Sequence, residues 1–240
     1  MPSGDTPAIT VHGVTRSFPL GDGRTLPVLD VEHLTFAAGS CTVVKGRSGS
    51  GKTTLLNLIA GVSLPTTGAI TVHDVNITAL PEAERDRFRA QHVGYVFQTY
   101  NLLSAFSALE NVMLAMMFAG AVPARDRRRR ATDLLQRLGL GPRLSHKPHR
   151  LSRGEAQRVA IARALANDAR VILADEPCAS LDARTARDVL EEFLAVARDP
   201  DRTLIVVSHD DVMLESADHV LDMAMINRVP SSLPVVESVR

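Results

Sequence analysis

Residues Gly46 to Thr53, reading GRSGSGKT, carry the clearest chemistry in the chain, because their spacing fits G-x-x-x-x-G-K-[ST]. Gly46, Gly49 and Gly51, with Arg47, Ser48 and Ser50 between them and Thr54 just after the segment, let successive backbone N–H groups turn inward around a phosphate. Lys52 then supplies a cation for phosphate oxygens, and Thr53 a hydroxyl for a divalent cation such as Mg²⁺. A chance glycine-rich turn is the alternative. The context disfavours it, since the segment lies between the strand-like CTVVK and the apolar helix-like TLLNLIA, so a helix N-terminus would point its positive end at the bound anion. A second group follows at 171–176, where VILADE ends four apolar residues in two carboxylates. A strand buried on both faces delivers such residues to the tip of a parallel sheet. Asp175 there suits the cation shell, and Glu176 suits orienting or deprotonating an attacking water. A solvated strand end is the bland reading of the same pair.

These groups need a scaffold to hold them, and β-branched apolar runs supply it. They recur at Ile9–Val11, Thr42–Val44, Ala69–Val72, Val93–Phe97, Val171–Leu173 and Leu204–Val207, separated by turn signals or helix-like stretches. That alternation predicts an α/β fold. Pro65-Thr66-Thr67-Gly68 reads as a turn, so hairpins precede the crossovers. From Tyr100 to Arg150 the strand signal disappears, and Ser107–Ala119 and Ala124–Leu138 are expected as helices of an inserted subdomain. The five arginines of 125–130 read as a solvated helix face rather than a nucleic-acid or lipid patch, because Asp126 interrupts them. The expected divisions are a catalytic core at 1–98 and 166–225, a helical subdomain at 99–165 and a loose tail at 226–240, all in one domain.

Composition narrows the classes. The chain has 240 residues, 45% hydrophobic, enough for one large core. Lys plus Arg and Asp plus Glu both number 27, so no global field draws the protein to nucleic acid. Two cysteines, Cys41 and Cys178, make no disulfide framework. No basic segment followed by an apolar core opens the sequence, and the longest apolar stretch, Val112–Val122, is about half the ~20 residues a membrane span needs. The expectation is a cytosolic protein with no transmembrane helix of its own.

The segment LSRGEAQRVAIARAL at 151–165 closely resembles the LSGGQ signature of the ATP-binding-cassette (ABC) ATPases. The other motifs fall in that family's order across nearly the whole chain. The resemblance implies a P-loop NTPase core with a mixed sheet, an N-terminal antiparallel β subdomain and an inserted helical subdomain. It implies ATP and Mg²⁺ as the bound species, and ATP hydrolysis as the reaction. By the same likeness Gln98 in YVFQ is the Mg²⁺-sensing glutamine, ASLD ending at Asp182 is the D-loop, and His209 in VVSHD is the switch histidine. Phe18 corresponds to the aromatic that stacks on adenine, an ordinary buried Phe being the alternative. Ser152 and Gly154, ahead of a helix expected to begin near Glu155, would close over ATP held by a second copy, so the family likeness implies a head-to-tail homodimer. Arg153 departs from the family by replacing the signature's first glycine, Glu155 replaces its glutamine, and Cys178 stands where DEPT has threonine. The passage YVFQTYNLLSAFSALENVMLAMMFAG is similar to the lipoprotein-release and macrolide-exporter subfamily. That implies an integral-membrane permease as partner, with the chain peripheral on the inner face of the membrane. An importer or division-type member, or a soluble ATPase of DNA repair or translation, remain as alternatives, and the transported substrate is not written in this chain.

Overall fold

The computed structural model describes residues 7–21 and 23–230. Two sheets organise it. The first is antiparallel, of order β2-β1-β4-β5, built from β1 (Pro7–Pro19), β2 (Thr25–Ala37), β4 (Thr67–Val72) and β5 (Val75–Asn76). The second is parallel, of order β6-β7-β8-β3-β9, built from β3 (Cys41–Lys45), β6 (Val93–Val96), β7 (Val171–Asp175), β8 (Thr203–Val207) and β9 (His219–Asp222). Antiparallel and parallel pairing are thus both present, in separate sheets.

The parallel strands have both faces covered, which is why they read as continuous apolar runs. Alternate residues of β7 part company accordingly. Val171 and Leu173 face a core shared with the antiparallel sheet and α1 (Lys52–Ile59), whereas Ile172 and Ala174 face a second core filled by helices. That second core is closed by α3 (Ala108–Ala119), α4 (Ala124–Arg137), α5 (Arg153–Leu165) and α6 (Ala183–Ala197). Three more α-helices, α2 (Glu82–His92), α7 (Asp211–Glu215) and α8 (Met223–Ile226), and two short 3-10 turns, Gly141–Arg143 and Pro148–Arg150, complete the helices of the described residues.

Helix starts are chemically marked. Ser107 and Ser152 each form a capping box, with Glu110 and Glu155 respectively, so two orphan N–H groups are satisfied reciprocally at each end. The signature helix therefore starts at Arg153, two residues earlier than the sequence suggests, and Glu155 is an internal part of its cap.

Two further expectations change. The arginine run is only partly a solvated face: Arg127 donates to the Val122 carbonyl, and Arg130 donates to the Ala166 carbonyl and pairs with Asp168. Those bonds staple α4 to its neighbours. The chain from 226 to 230 is also tied down rather than loose, because Asn227 and Arg228 bond back to the antiparallel sheet; residues 231–240 lie outside the described residues. No helix among the described residues is long and apolar enough to cross a membrane.

Candidate nucleotide-binding site

Parallel register brings the chemistry together. Val207 of β8 lies opposite Asp175 of β7 on one side and Val44 of β3 on the other. The three segments that follow these strands, beginning at Gly46, Glu176 and Ser208, therefore leave the sheet side by side at its C-terminal edge, where ligands of open α/β sheets bind.

The 46–53 segment is a tight loop closed onto α1. Gly51 is its N-cap, with φ 93°, a left-handed conformation that side chains rarely adopt, and a Cβ there would lie 3.0 Å from the Val28 carbonyl oxygen. Gly49 also takes a positive φ, 77°, but a Cβ on it would meet nothing within 4 Å. Backbone conformation, not crowding, therefore selects glycine at 49. Lys52 is buried and holds the loop from inside, its Nζ donating to the carbonyls of Gly46 at 2.6 Å and Arg47 at 3.1 Å. The same Nζ lies 3.9 Å from Glu176 Oε1. Ser50 Oγ is buried without a hydrogen-bond partner, an orphaned hydroxyl of the kind a bound oxyanion or water satisfies.

A cleft of about 260 Å³ opens at this loop, lined by Ser48 to Thr54 with Gly49 among them, and by Val28, Gln98 and Glu176. A second of about 270 Å³ is lined by Glu176, Cys178, Ala179, Ser208, His209 and Asp210. Glu176 lines both, and its own φ of 44° shows a strained backbone at the strand tip. Asp175 is buried beside it, and its carboxyl is raised above the ordinary aspartate range chiefly by desolvation and also by Glu176, against the hydrogen bond from Thr53 and the charge of Lys52. Thr53 hydroxyl, Asp175 carboxylate and Gln98 amide make an all-oxygen donor set suited to a hard divalent cation. The residues present fit Mg²⁺. Among the described residues no cluster of three or more His, Cys, Asp or Glu offers a different metal site. Burial pushes the Cys178 thiol up to about 12 and the Cys41 thiol to about 11, so both are packing groups rather than nucleophiles.

The sequence-predicted residues do not all meet in one place. Phe18 is exposed on β1 and covered on one face by the Arg16 guanidinium at 4.5 Å; Val28, which sequence reasoning missed, lines the phosphate cleft instead. Ser152, Gly154 and Asp182 lie outside this cleft, at the N-termini of α5 and α6. Gly154 is forced by packing: a Cβ there would come within 2.7 Å of Thr185 Cγ2. Asp182 caps α6, accepting from the Thr185 amide. Asn227 is the other residue missed. Its amide nitrogen donates to the carbonyls of Val28 and Ser50, both 3.0 Å away, and so holds the loop from behind.

A phosphate loop running into a helix buried on a parallel sheet, with an Asp-Glu pair at the neighbouring strand tip, defines a nucleotide-binding α/β protein of the P-loop class. Comparison with known proteins makes this specific. The ABC transporter family model matches residues 29–179. The chain is 42% identical to a macrolide export ATP-binding/permease protein of Rhodopirellula baltica over 90% of its own length, but it spans only 31% of that relative. It is 40% identical to the lipoprotein-releasing system ATP-binding protein of Bacteroides fragilis, over 90% of this chain and 97% of that protein. Among solved structures, the ATP-binding cassette MJ0796, a dimer in a post-hydrolysis state bound to ADP and Pi, superposes with a TM-score of 0.82 at 33% identity, covering 91% of this chain and 94% of that one. The chain belongs to the ABC transporter family.

Proposed function

We propose that this chain is the ATP-binding and ATP-hydrolysing subunit of a membrane transporter, working as a head-to-tail homodimer at the cytoplasmic face and driving an integral-membrane permease. The observation that carries the reading is the convergence of Lys52, Thr53, Gln98 and Glu176 on one cleft, with Asp175 buried behind. The loop's inward N–H groups, from Gly46 through Gly49 to Gly51, and Lys52 hold the β- and γ-phosphates, and Phe18 offers a face to the adenine. Mg²⁺, when bound at Thr53, Asp175 and Gln98, supplies neutralisation of phosphate charge. Glu176 orients and deprotonates the attacking water, a role that needs the carboxylate free on its cleft side. His209 lines the adjoining cleft together with Glu176, which supports a part in sensing the terminal phosphate. Ser152, Gly154 and Asp182, outside their own cleft, serve the nucleotide of the second copy; the dimeric state of the similar MJ0796 cassette supports this. Likeness to the lipoprotein-release and macrolide-export proteins supports an export or force-transmitting partner.

The test is Glu176→Gln. Loss of the general base should cut ATP turnover by about 10²–10⁴-fold, while light scattering detects an ATP-dependent dimer that the parent protein forms only transiently. From native membranes the trapped variant should co-purify with a polytopic protein carrying a large extracytoplasmic domain. Retained turnover removes Glu176 from its role; recovery of ribosomes or DNA-repair factors sinks the transporter reading.

A further inference from the structure

Outside the cleft, one residue on the loop that follows Glu176 collects contacts from two other segments that the site uses separately. The Ser180 hydroxyl is hydrogen-bonded to the Tyr100 hydroxyl at 2.9 Å, and the Ser180 carbonyl accepts from Arg153 Nη1 at 3.4 Å. Tyr100 stands two residues after Gln98, and its own backbone is pinned, since Arg163 donates to the carbonyls of Tyr100 at 2.9 Å and Asn101 at 2.5 Å. Arg153 opens the signature helix. Ser180 itself rides on a stiff segment: Glu176 is anchored to the Val207 carbonyl, Ala179 bonds back to Glu176, and Leu181 bonds back to Cys178. Two successive tight turns thus join Ser180 to Glu176, so a displacement at one end reaches the other instead of dissipating in a floppy loop.

We propose that Arg153 and Tyr100 are positioning residues that couple the two nucleotide sites of the dimer through Ser180. The inference rests on the head-to-tail reading above. There the N-terminus of α5 faces the second copy's nucleotide, whereas Glu176 serves the chain's own. The Arg153–Ser180 bond joins those two ends within one protomer, and the Tyr100–Ser180 bond adds the segment carrying Gln98. The glycine expected at 153 has no side chain with which to make this link, so the departure from the family signature acquires a function: it gives the signature turn a reach of its own onto the loop behind the general base. Arg suits the role because its fork presents several donors at the end of a long side chain.

The experiment measures ATP hydrolysis by the purified full chain as a function of ATP concentration, in the parent, Arg153→Gly, Arg153→Lys, Tyr100→Phe and Arg153→Gly/Tyr100→Phe. Arg150→Ala, an exposed charge loss nearby, is the control. Coupled sites give a Hill coefficient above one in the parent. Arg153→Gly and Tyr100→Phe should each lower it toward one and change kcat by roughly two- to ten-fold, the range of a single hydrogen bond, with KM nearly unmoved. Arg153→Lys, which keeps a donor, should recover part of the coupling, and the double variant should do little more than either single one, because both act through Ser180. A Hill coefficient of one in the parent, or one that the variants leave unchanged, overturns the proposal. So does a change in KM alone from Arg153→Gly, which would place the guanidinium on the nucleotide instead. Light scattering of each variant in the Glu176→Gln background separates the two levels. If no ATP-dependent dimer forms even with Arg153 intact, the dimer reading has failed and this inference with it; if the dimer forms and the Hill coefficients do not respond, only the inference has failed.

Discussion

The amide of Asn227 makes four hydrogen bonds, and all but one of them reach across more than 170 residues of sequence. Its Oδ1 accepts from the backbone amides of Asp30 at 2.9 Å and Val229 at 3.2 Å, and its Nδ2 donates to the carbonyls of Val28 and Ser50, each at 3.0 Å. Asn227→Ala strips all four from a half-buried position. At about 0.5–1.5 kcal/mol each, with water replacing part of them, the loss should be about 2–3 kcal/mol. For a domain of this size each kcal/mol lowers Tm by about 2–4 °C, so the variant should melt about 5–10 °C below the parent. The comparison is made by scanning fluorimetry without nucleotide, because bound ligand adds its own stabilisation. ATP affinity should fall too, since Val28 and Ser50 both line the phosphate cleft. Asn227→Asp sharpens the test. It keeps the acceptor for Asp30 and Val229 but sets an anionic oxygen against two carbonyl oxygens, so it should weaken ATP binding at least as much as alanine does, despite its closer shape. An alanine variant that melts within about 2 °C of the parent with unchanged KM would refute the reasoning.

Two other perturbations follow from the site. Gly154→Ala places a methyl 2.7 Å from Thr185 Cγ2, and overpacking of that kind should cost about 1–3 kcal/mol; Thr185→Ser, which deletes the opposing methyl, should restore most of the lost Tm, and a double variant no better than the single one would reject the contact as the cause. Asp175, whose carboxyl is raised chiefly by desolvation, binds a proton more tightly folded than unfolded. Stability therefore falls as pH rises from the ordinary aspartate range through the raised folded value, and the penalty is fully present above that value. Asp175→Asn should melt higher than the nucleotide-free parent at pH 7 while losing ATP turnover, and its advantage should shrink as pH falls into the ordinary carboxylate range; a variant no more stable at pH 7 would contradict this.

The elements legible in the sequence are those whose burial follows one unbroken pattern. Val171–Asp175 and Thr203–Val207 are buried at every position, and their unbroken apolar runs announce the parallel sheet. Helix α3 carries a capping box and an apolar body that mark both its ends. Helix α2 is the opposite case: EAERDRFRAQH contains no buried residue, so no apolar stripe betrays it. Strand β2 hides for a geometric reason. Its buried positions run 29 and 31, then 34 and 36, and those of β1 run 8, 9 and 11, then 14. Both strands change phase around Gly13, which has a φ of 57° and lies where the pairing of β1 with β4 shifts register between His12 and Thr15. A period-two search loses the strand at that break.

The candidate site divides along the same line. The expected residues that the structure gathers into one cleft, from Ser48 and Gly49 to Thr54 with Gln98 and Glu176, are those whose types follow from phosphate chemistry at fixed local spacing. The ones missed are dictated by tertiary contacts. Val28 enters because β2 crosses the phosphate loop closely enough that a Cβ on Gly51 would crowd its carbonyl at 3.0 Å, and Asn227 enters because the chain returns along that same strand after β9. Neither has a local pattern, since an apolar residue on a strand and an asparagine after a short helix are ordinary features. Yet they decide how rigidly the loop is held. An anion cradle of backbone N–H groups works only if those groups cannot rotate away, and here the restraint comes from Lys52 within the loop and from Asn227, 177 positions downstream of Ser50, outside it. The chemistry of this site is local in sequence, but its preorganisation is not.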